Sequence, residues 1–343
     1  SLALSLLQPA TAAAVDVTRG GALASPATSG NQFATAAALD ALPLSQGLLQ
    51  PLTRLDVAQA RGAFDQLSGE AHASARQVLL EGSRLVRDAA LARASAGHGG
   101  FLAQHDADAA TATGAWVQVQ HQGGSIAGDG NATRVQYSGN GALVGVDHQF
   151  EGGWRVGAYG GTGETDFNLR GRASKGEISS RHAGVYVGQA WGGFGVRAGY
   201  AQSWNRVDVD RTLAFPGFAG TVGTRYDADS KQAFVDAGYR FGNEAWELEP
   251  YLQYAHVELD SDGFREQGSL AALQGRAGEA RAELATAGLR FGANLRGSGQ
   301  EQTWLSLRGN LGYRHAGGDQ RRTAQLSLDG SNWFDVSSPV IGS

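Results

Sequence analysis

The sequence predicts an all-β transmembrane barrel, antiparallel and up-and-down, preceded by an α-helical segment. After about residue 114, apolar residues recur with a period of two in strand after strand, whereas residues 34–96 lack this rhythm and are rich in Ala, Leu, Arg and Glu. Successive side chains of a β-strand point to opposite faces, so this period predicts strands with one apolar face. Tight Gly-rich turns alternate with longer polar connections, as in an up-and-down barrel.

The composition excludes several classes of protein. The 343 residues carry a net charge of −5, which is not the basic footprint of a nucleic-acid-binding protein. The chain has no Cys, so disulfides and thiolate metal sites are excluded. No run approaches the roughly 18 apolar residues of a spanning helix, which excludes an α-helical membrane protein but not a barrel.

The first residues, SLALSLLQPATAAAVDV, combine an apolar run with an Ala-rich end. This pattern resembles a signal-peptide remnant, but an initiating Met and a basic leader are missing. We expect an internal fragment, with the signal-peptide remnant as the alternative.

Three helices are predicted before the strands, at 33–42, 55–67 and 70–96. The third is opened by Ser68 as an N-cap, with Glu70 in its first turn. Its apolar face is narrow and its charge is high for a helix in a hydrophobic core. It is therefore either a solvated or coiled-coil helix, or a helix in a polar environment. Residues 97–113, rich in Gly, Ala and Asp, are expected to be a linker.

About ten strands follow, at 115–126, 134–150, 154–169, 178–191, 194–213, 222–241, 246–259, 282–295, 303–315 and 323–329. The stretch GVYVGQAWGGFGVRAGY (184–200) is typical: one face holds apolar residues with only Gln189 out of character, and the other holds Gly, Tyr186 and Arg197. Aromatic residues near strand ends resemble the interfacial girdles of membrane barrels. A soluble sandwich with the apolar face inward is the alternative.

Landmarks in a fixed order resemble the autotransporter translocator, the C-terminal β-domain of type V secretion proteins. They are SGNQFATAAALD (29–40), FDQLSGEAHAS (64–74), SRLVRDAAL (83–91), and then GAWVQVQ, LVGVDHQFEGGWRVGAYGG and HAGVYVGQAWGGFGVRAGY. The resemblance implies a 12-stranded barrel with an α-helix running through its pore, located in the bacterial outer membrane with a passenger at the cell surface. Only about ten strands are present here, so we expect a C-terminally truncated barrel whose sheet has two open edges.

The resemblance implies three segments: 1–33 as the end of a passenger or a connecting segment, 34–113 as helical linker and pore helix, and 114–343 as the barrel. It also implies a lumen wall and a pore helix with charged groups. The expected lumen-lining residues are Arg197, Asp236, Arg240, Glu247, Glu249, Arg290 and Arg308, and the expected pore-helix residues are Arg76, Glu81, Arg84, Arg87 and Asp88.

No catalytic motif, phosphate-binding loop or metal-ligand cluster is recognisable, so neither an enzyme activity nor a cofactor is expected in this chain. The expected function is to anchor and export an N-terminal passenger. The alternative is that the chain is part of an autotransporter enzyme, an esterase or protease, whose catalytic passenger lies upstream. Implied partners are outer-membrane lipid, the chain's own passenger, the barrel-assembly machinery and periplasmic chaperones, and no nucleic acid.

Overall fold

The computed structural model describes residues 2–7, 14–19, 21–43, 45–95, 113–243, 245–296, 303–318 and 322–340. A hairpin of β1 (Leu2–Leu7) and β2 (Ala14–Arg19) precedes four helices. These are α1 (Gly30–Asp40), α2 (Leu49–Leu52), α3 (Val57–Leu67) and α4 (Glu70–Ser95). The three helices predicted from the sequence are therefore present, and the short α2 was not predicted.

Side-chain caps begin two of these helices. Ser29 accepts a hydrogen bond from the Gln32 N–H at the start of α1, and Asp56 with Gln59 forms a capping box at the start of α3. The prediction that Ser68 caps the third helix was wrong, because Ser68 is the C-cap of α3. Gly69 then turns the chain with φ of +68°, a conformation that favours glycine, so only two residues separate the end of α3 from the start of α4.

The main sheet contains nine long antiparallel strands and one two-residue strand. Their bounds are β3 (Thr113–Ile126), β4 (Val135–Gln149), β5 (Arg155–Leu169), β6 (Ser174–Trp191), β7 (Phe194–Phe215), β8 (Phe218–Tyr239), β9 (Phe241–Gly242), β10 (Trp246–Ser261), β13 (Gly278–Arg296) and β14 (Thr303–Gly318). In spatial order they run β14, β13, β10, β8, β7, β6, β5, β4, β3, and the short β9 pairs with β10. Among the described residues, β3 pairs only with β4 and β14 only with β13.

The two faces of the sheet differ as the alternation predicts. Val185 is 53% exposed on the outer face, while the next residue, Tyr186, is 2% exposed on the face toward α4. Gln189, the exception on the apolar face, donates to the Gly152 carbonyl at 2.6 Å and so braces a neighbouring turn. The outer face is a belt of exposed apolar residues, among them Val117, Val119, Val144, Val146, Val235, Leu252, Leu307, Leu311 and Tyr313.

The inner-face glycines serve a purpose that the alternation does not show. A Cβ on Gly157 would overlap the Tyr186 ring, and one on Gly145 would overlap Trp116. In each case the aromatic residue is the direct cross-strand partner of the glycine. Each ring therefore packs over a glycine of the neighbouring strand.

The longest strands reverse their polarity part of the way along. On β7 the outer face is apolar from Phe194 to Trp204 except at Gln202, a distance of about 33 Å along the strand at about 3.3 Å per residue. Beyond Trp204 the outer face becomes charged with Arg206, and the inner face becomes apolar with Val207. At the usual barrel tilt this belt is about 25 Å tall, the height of an outer-membrane apolar band.

A second, four-stranded sheet consists of β11 (Phe264–Arg265), β12 (Leu273–Gly275), β15 (Thr323–Leu328) and β16 (Phe334–Ser337). We call this sheet together with α1, α2 and α3 the cap. The prediction that 323–329 is a tenth barrel strand was wrong, because β15 pairs with β12 and β16. Its apolar residues Leu326 and Leu328 are buried in the cap core, which leaves none of them for the outer belt.

The cap lies at one end of the main sheet, which we call the cap end. The tight turns, including Gly192 and Gly193, lie at the opposite end of the sheet, which we call the turn end. One hydrophobic core surrounds α4 along the inner face of the sheet, and the other fills the cap. The predicted order along the chain, with a helical segment before the antiparallel strands of the main sheet, is therefore observed.

Candidate functional site: the helix-filled interior and its two ends

Helix α4 runs along the inner face of the sheet from the cap end to the turn end. Its first turn contacts Thr133 and Arg172 in cap-end connections, and its last turn lies beside Asp147 and Gly188, near the opposite end of their strands. Within the described ranges, no helix is both long enough and apolar enough to cross a bilayer. Most of α4 is nevertheless buried, because it packs against β5, β6 and β7.

The last turn of α4 is held by a buried ion-pair hub. Arg93 donates to the Asp147 carboxylate from Nε at 3.1 Å and from Nη2 at 2.8 Å. Arg155 donates to the other carboxylate oxygen, and the Tyr186 hydroxyl donates to Asp147 at 2.8 Å. Trp116 completes the hub by donating to the Tyr186 hydroxyl at 2.9 Å. One aspartate on β4 thus joins α4 to strands β3, β5 and β6.

The first turns of α4 are held by two further clusters. Glu70 accepts hydrogen bonds from the Thr133 N–H at 2.6 Å and from Arg172 Nε at 2.8 Å. Two residues further along α4, a Glu266 carboxylate oxygen lies 2.8 Å from His72 Nε2, and Arg211 donates to both Glu266 oxygens at 2.7 and 2.6 Å. These contacts tie α4 to the β3–β4, β5–β6 and β10–β13 connections.

Glu266 lies in the β10–β13 connection, outside the membrane-spanning part of the strands. Burial alone would raise its pKa, but the Arg211 charge and the hydrogen bonds from His72 and Arg211 lower the pKa of this carboxyl to about 2. The carboxylate is therefore charged at every physiological pH, and it compensates the buried Arg211 guanidinium.

The five charged residues predicted on the pore helix occupy different surroundings. Arg87 is 2% exposed and donates to Gln232 at 2.9 Å, and Glu81 pairs with Arg314 of β14 at 3.1 Å. Arg84 and Asp88 pair with each other at 3.0 Å and stay 59% and 47% exposed. The fifth residue, Arg76, donates to the Thr323 carbonyl in the cap.

Four of the seven predicted lumen residues form one buried cluster on adjacent strands. Arg197 contacts Asp236 at 2.6 Å and Glu249 at 2.7 Å, and Arg290 contacts the same two carboxylates at 2.5 and 2.9 Å. Arg290 also stacks on the Tyr251 ring, 3.7 Å from its centroid. Two arginines and two acids thus neutralise each other across β7, β8, β10 and β13.

The other three predicted lumen residues lie outside this cluster. Arg240 and Glu247 form a looser pair at 3.4 Å near the turn end, and Arg308 is exposed on β14. Sequence reasoning missed the residues that hold the two ends of α4. The available signal was charge inside otherwise apolar or small-residue patterns: Asp147 after Val144 and Val146, and Arg211 after Val207 and Val209.

In the part of the chain that the structure describes, no three His, Cys, Asp or Glu side chains converge in a way that would hold a metal ion. The clusters above consist of acids already paired with arginine. Their chemistry is that of anchoring a helix to a wall.

Comparison with known proteins identifies this architecture. The family model of the autotransporter beta-domain matches residues 115–341. Two curated relatives, both named extracellular serine protease from Serratia marcescens, are 31% and 30% identical over 81% and 87% of this chain. The chain spans only 26% and 28% of their lengths.

A solved structure has the same fold. The translocator domain of the autotransporter NalP from Neisseria meningitidis matches with a TM-score of 0.53 and 14% identity, over 76% of this chain and 94% of that one. The family match, the apolar outer belt and the helix along the inner face all indicate the same kind of membrane domain. The chain belongs to the autotransporter β-domain family and is an outer-membrane translocator domain that exports a passenger to the cell surface.

Proposed function

We propose that α4 is the trailing segment of the exported chain, retained in the lumen of the barrel after the passenger has crossed the outer membrane. The single observation that carries this is the course of α4. It runs along the inner face from cap end to turn end, and buried ion pairs hold it at both ends. In this arrangement the cap and everything upstream of it lie outside the cell, and the tight turns face the periplasm.

The proposal assigns three segments to three roles. Residues 1–33 end the passenger or connect it, residues 34–113 form the helical linker including α4, and residues 114–343 form the barrel together with the four-stranded sheet of the cap. The Arg197, Asp236, Glu249 and Arg290 cluster supports a polar lumen wall formed by β7, β8, β10 and β13. Arg240, Glu247 and Arg308 belong to the same wall in this proposal.

Charged residues on α4 then have two roles. Arg76 and Arg87 fix the helix to the cap and the wall, since both are buried and bonded. Glu81 spans the lumen to reach β14, and Arg84 with Asp88 faces lumen water. A helix with this mixed surface is stable in the lumen and is too polar to leave it for the lipid.

The partners follow from the location. The exposed apolar belt requires outer-membrane lipid, and insertion of such strands requires the barrel-assembly machinery and periplasmic chaperones. The translocator family is not itself catalytic, and we extend this to the present chain. Nucleic acid has no role in the proposal, because no basic surface is predicted from the composition.

An epitope-accessibility experiment tests the orientation. One epitope is placed immediately upstream of Gly21, and a second is placed in the turn between Gly192 and Gly193. Protease added to intact Gram-negative cells should remove the first epitope and spare the second. Removal of the turn epitope with protection of the upstream one would refute the assigned direction of export.

The passenger is proposed to be a serine protease, as the names of both Serratia marcescens relatives suggest. A serine-reactive fluorophosphonate probe, applied to the full-length protein, should label a residue upstream of Ser1 of this chain. A label that maps within residues 21–340 would contradict both this assignment and the non-catalytic role of the translocator.

A further inference from the structure

We propose that one band of neutral polar side chains on the inner wall is the surface along which the passenger moves while it crosses the lumen. We call it the polar band, and its residues are Ser180, His182, Ser203, Asn205 and Ser230. The inference rests on the proposed function, because it assigns a contact surface to the chain whose trailing segment is α4. Three observations support it: the position of the band, the bonding of its side chains, and its poor match to the helix that lies against it.

The polar band crosses three strands in the middle of the sheet, away from both edge strands. Register pairs Ser180 of β6 with Asn205 of β7. In the next inner-face row, Ser203 of β7 pairs with His182 of β6 on one side and with Ser230 of β8 on the other. The band therefore forms two adjacent rows at one height, and a segment that follows the path of α4 passes over it.

The polar groups of the band are bonded to the wall itself. Ser180 donates to Asn205 Oδ1 at 2.7 Å, and His182 Nδ1 lies 2.8 Å from Ser203 Oγ. Asn205 Nδ2 donates to the Ala228 carbonyl at 2.7 Å. Such groups offer a passing chain no ion pair and no dry apolar contact, but only weak hydrogen bonds that exchange readily.

The face of α4 that lies against the band is apolar. Val78, Leu79 and Val86 line the gap between the helix and the band, and they are 1%, 7% and 2% exposed. The gap has a volume of about 40 Å³, whereas about 10–15 Å³ between polar groups is sufficient for a water molecule. A wall adapted to the seated helix would present apolar side chains here. The band therefore suits the upstream segments that precede α4 through the lumen.

A neighbouring residue shows how the wall binds α4 where it is adapted to the helix. Gln232 lies one row nearer the turn end than Ser230, on the same strand. It donates to the Ser83 carbonyl at 2.9 Å and accepts from Arg87 at 2.9 Å. The amide of Gln232 is thus bonded to the helix, whereas Ser180 and Asn205 are bonded to each other.

The export rate of the full-length protein tests the proposal. The double variant Ser203→Val with Ser230→Val makes the band apolar, and Ser203→Thr with Ser230→Thr is the matched control because Thr has nearly the shape of Val but keeps the hydroxyl. Pulse–chase labelling with protease added to intact cells measures how fast the epitope upstream of Gly21 reaches the surface. The Val pair should slow this roughly tenfold, because the added methyl groups retain apolar side chains of the passing chain. The Thr pair should stay within about twofold of the wild type.

Stability separates a contact surface from a structural role. The free energy of unfolding of the Val pair should be at least that of the Thr pair, because its methyl groups face Val78 and Val86 across the gap. A purely structural role would instead lower stability and export together. Heat-modifiable mobility in the same pulse–chase measures insertion of the barrel, so slow insertion is recognised separately.

Equal export rates for the Val and Thr pairs would overturn the proposal, as would slow export that only follows slow insertion or lost stability. If the Val pair does not insert, Ser180→Val and Ser180→Thr repeat the comparison at a position that is only half-buried. The proposed function fails by a different result: in the unsubstituted protein, the upstream epitope would never become accessible at the surface.

Discussion

Replacing Asp147 by Ala should release the inner end of α4 and destabilise the barrel. Asp147 is 3% exposed, and its loss leaves the buried guanidinium groups of Arg93 and Arg155 without their shared carboxylate. Removing one partner of a buried ion pair costs about 3–5 kcal/mol, which at about 1.4 kcal/mol per tenfold corresponds to an equilibrium shift of roughly a hundredfold to several thousandfold. Tyr186 also loses its acceptor, so the cost should fall in the upper part of that range.

Two readouts separate release of the helix from general damage. Denaturant titration followed by heat-modifiable mobility measures the loss of stability. Ser95→Cys introduces a single thiol at the end of α4, because the chain has no cysteine of its own. Ser95 is 5% exposed, so maleimide should label this thiol slowly when Asp147 is present and rapidly in the Asp147→Ala variant. Asp88→Ala is the matched control because its pair with Arg84 is exposed and contributes at most about 0.5 kcal/mol. Equal effects of the two aspartate variants, or slow labelling in both, would refute the assignment of Asp147 as the anchor.

Three other perturbations test separate parts of the structure. Leu252→Arg puts a charge on the outer belt and should lower the free energy of unfolding measured by a refolding titration by about 2–4 kcal/mol. Gln253→Arg, on the inner face of the same strand, should cost less than half as much. The reverse order would mean that the two faces are exchanged. Gly157→Ala should cost about 1–3 kcal/mol because its Cβ overlaps the Tyr186 ring, while Gly160→Ala on the same strand should be near neutral in the same titration; equal costs would count against ring-on-glycine packing. The pKa of Glu266 in the folded state is lowered, so the stabilisation that its charged form gives the folded protein is complete above about pH 4.5 and is lost as the pH falls toward 2. Glu266→Gln should therefore flatten the pH dependence of the free energy of unfolding in that window. An unchanged slope would contradict the Arg211 pairing.

The alternation of apolar and small or polar residues was sufficient to predict the antiparallel sheet and its two faces. Val185 and Tyr186 lie on opposite faces as their positions in the alternation require. The rule fails above Trp204, because the same alternation continues while the surroundings change from lipid to water. Val207 and Val209 then point inward, and the change is marked by the charges of Arg206, Asp208 and Asp210 on the outer face.

The cap was not predictable from the periodicity. Residues 323–329 alternate like a barrel strand, and whether β15 pairs with β14 or with β12 depends on contacts distant in the sequence. Ser68 was assigned to the wrong helix end because a cap residue between two helices suits either one until the positive φ of Gly69 is known.

The charged site was predictable in part. Arg197, Asp236, Glu249 and Arg290 share the inner face by alternation alone, and the structure brings them into one cluster. Asp147 was missed because a single inward carboxylate acquires meaning only when the register places it beside Tyr186 and the helix places Arg93 above it. Which side chains of α4 meet which side chains of the sheet depends on the position of the helix along its axis relative to the strands, and no local sequence pattern encodes that position.

Crosslinking α4 to the wall tests most directly that the helix lies inside the barrel. Glu81→Cys with Arg314→Cys places two thiols where the parent side chains meet at 3.1 Å, and a short bis-methanethiosulfonate reagent should join them in isolated outer membranes. Glu81→Cys with Tyr313→Cys is the matched pair, since Tyr313 is 61% exposed on the opposite face of β14. We expect efficient linkage of the first pair and none of the second. Linkage of the second pair without the first would show that α4 lies outside the barrel.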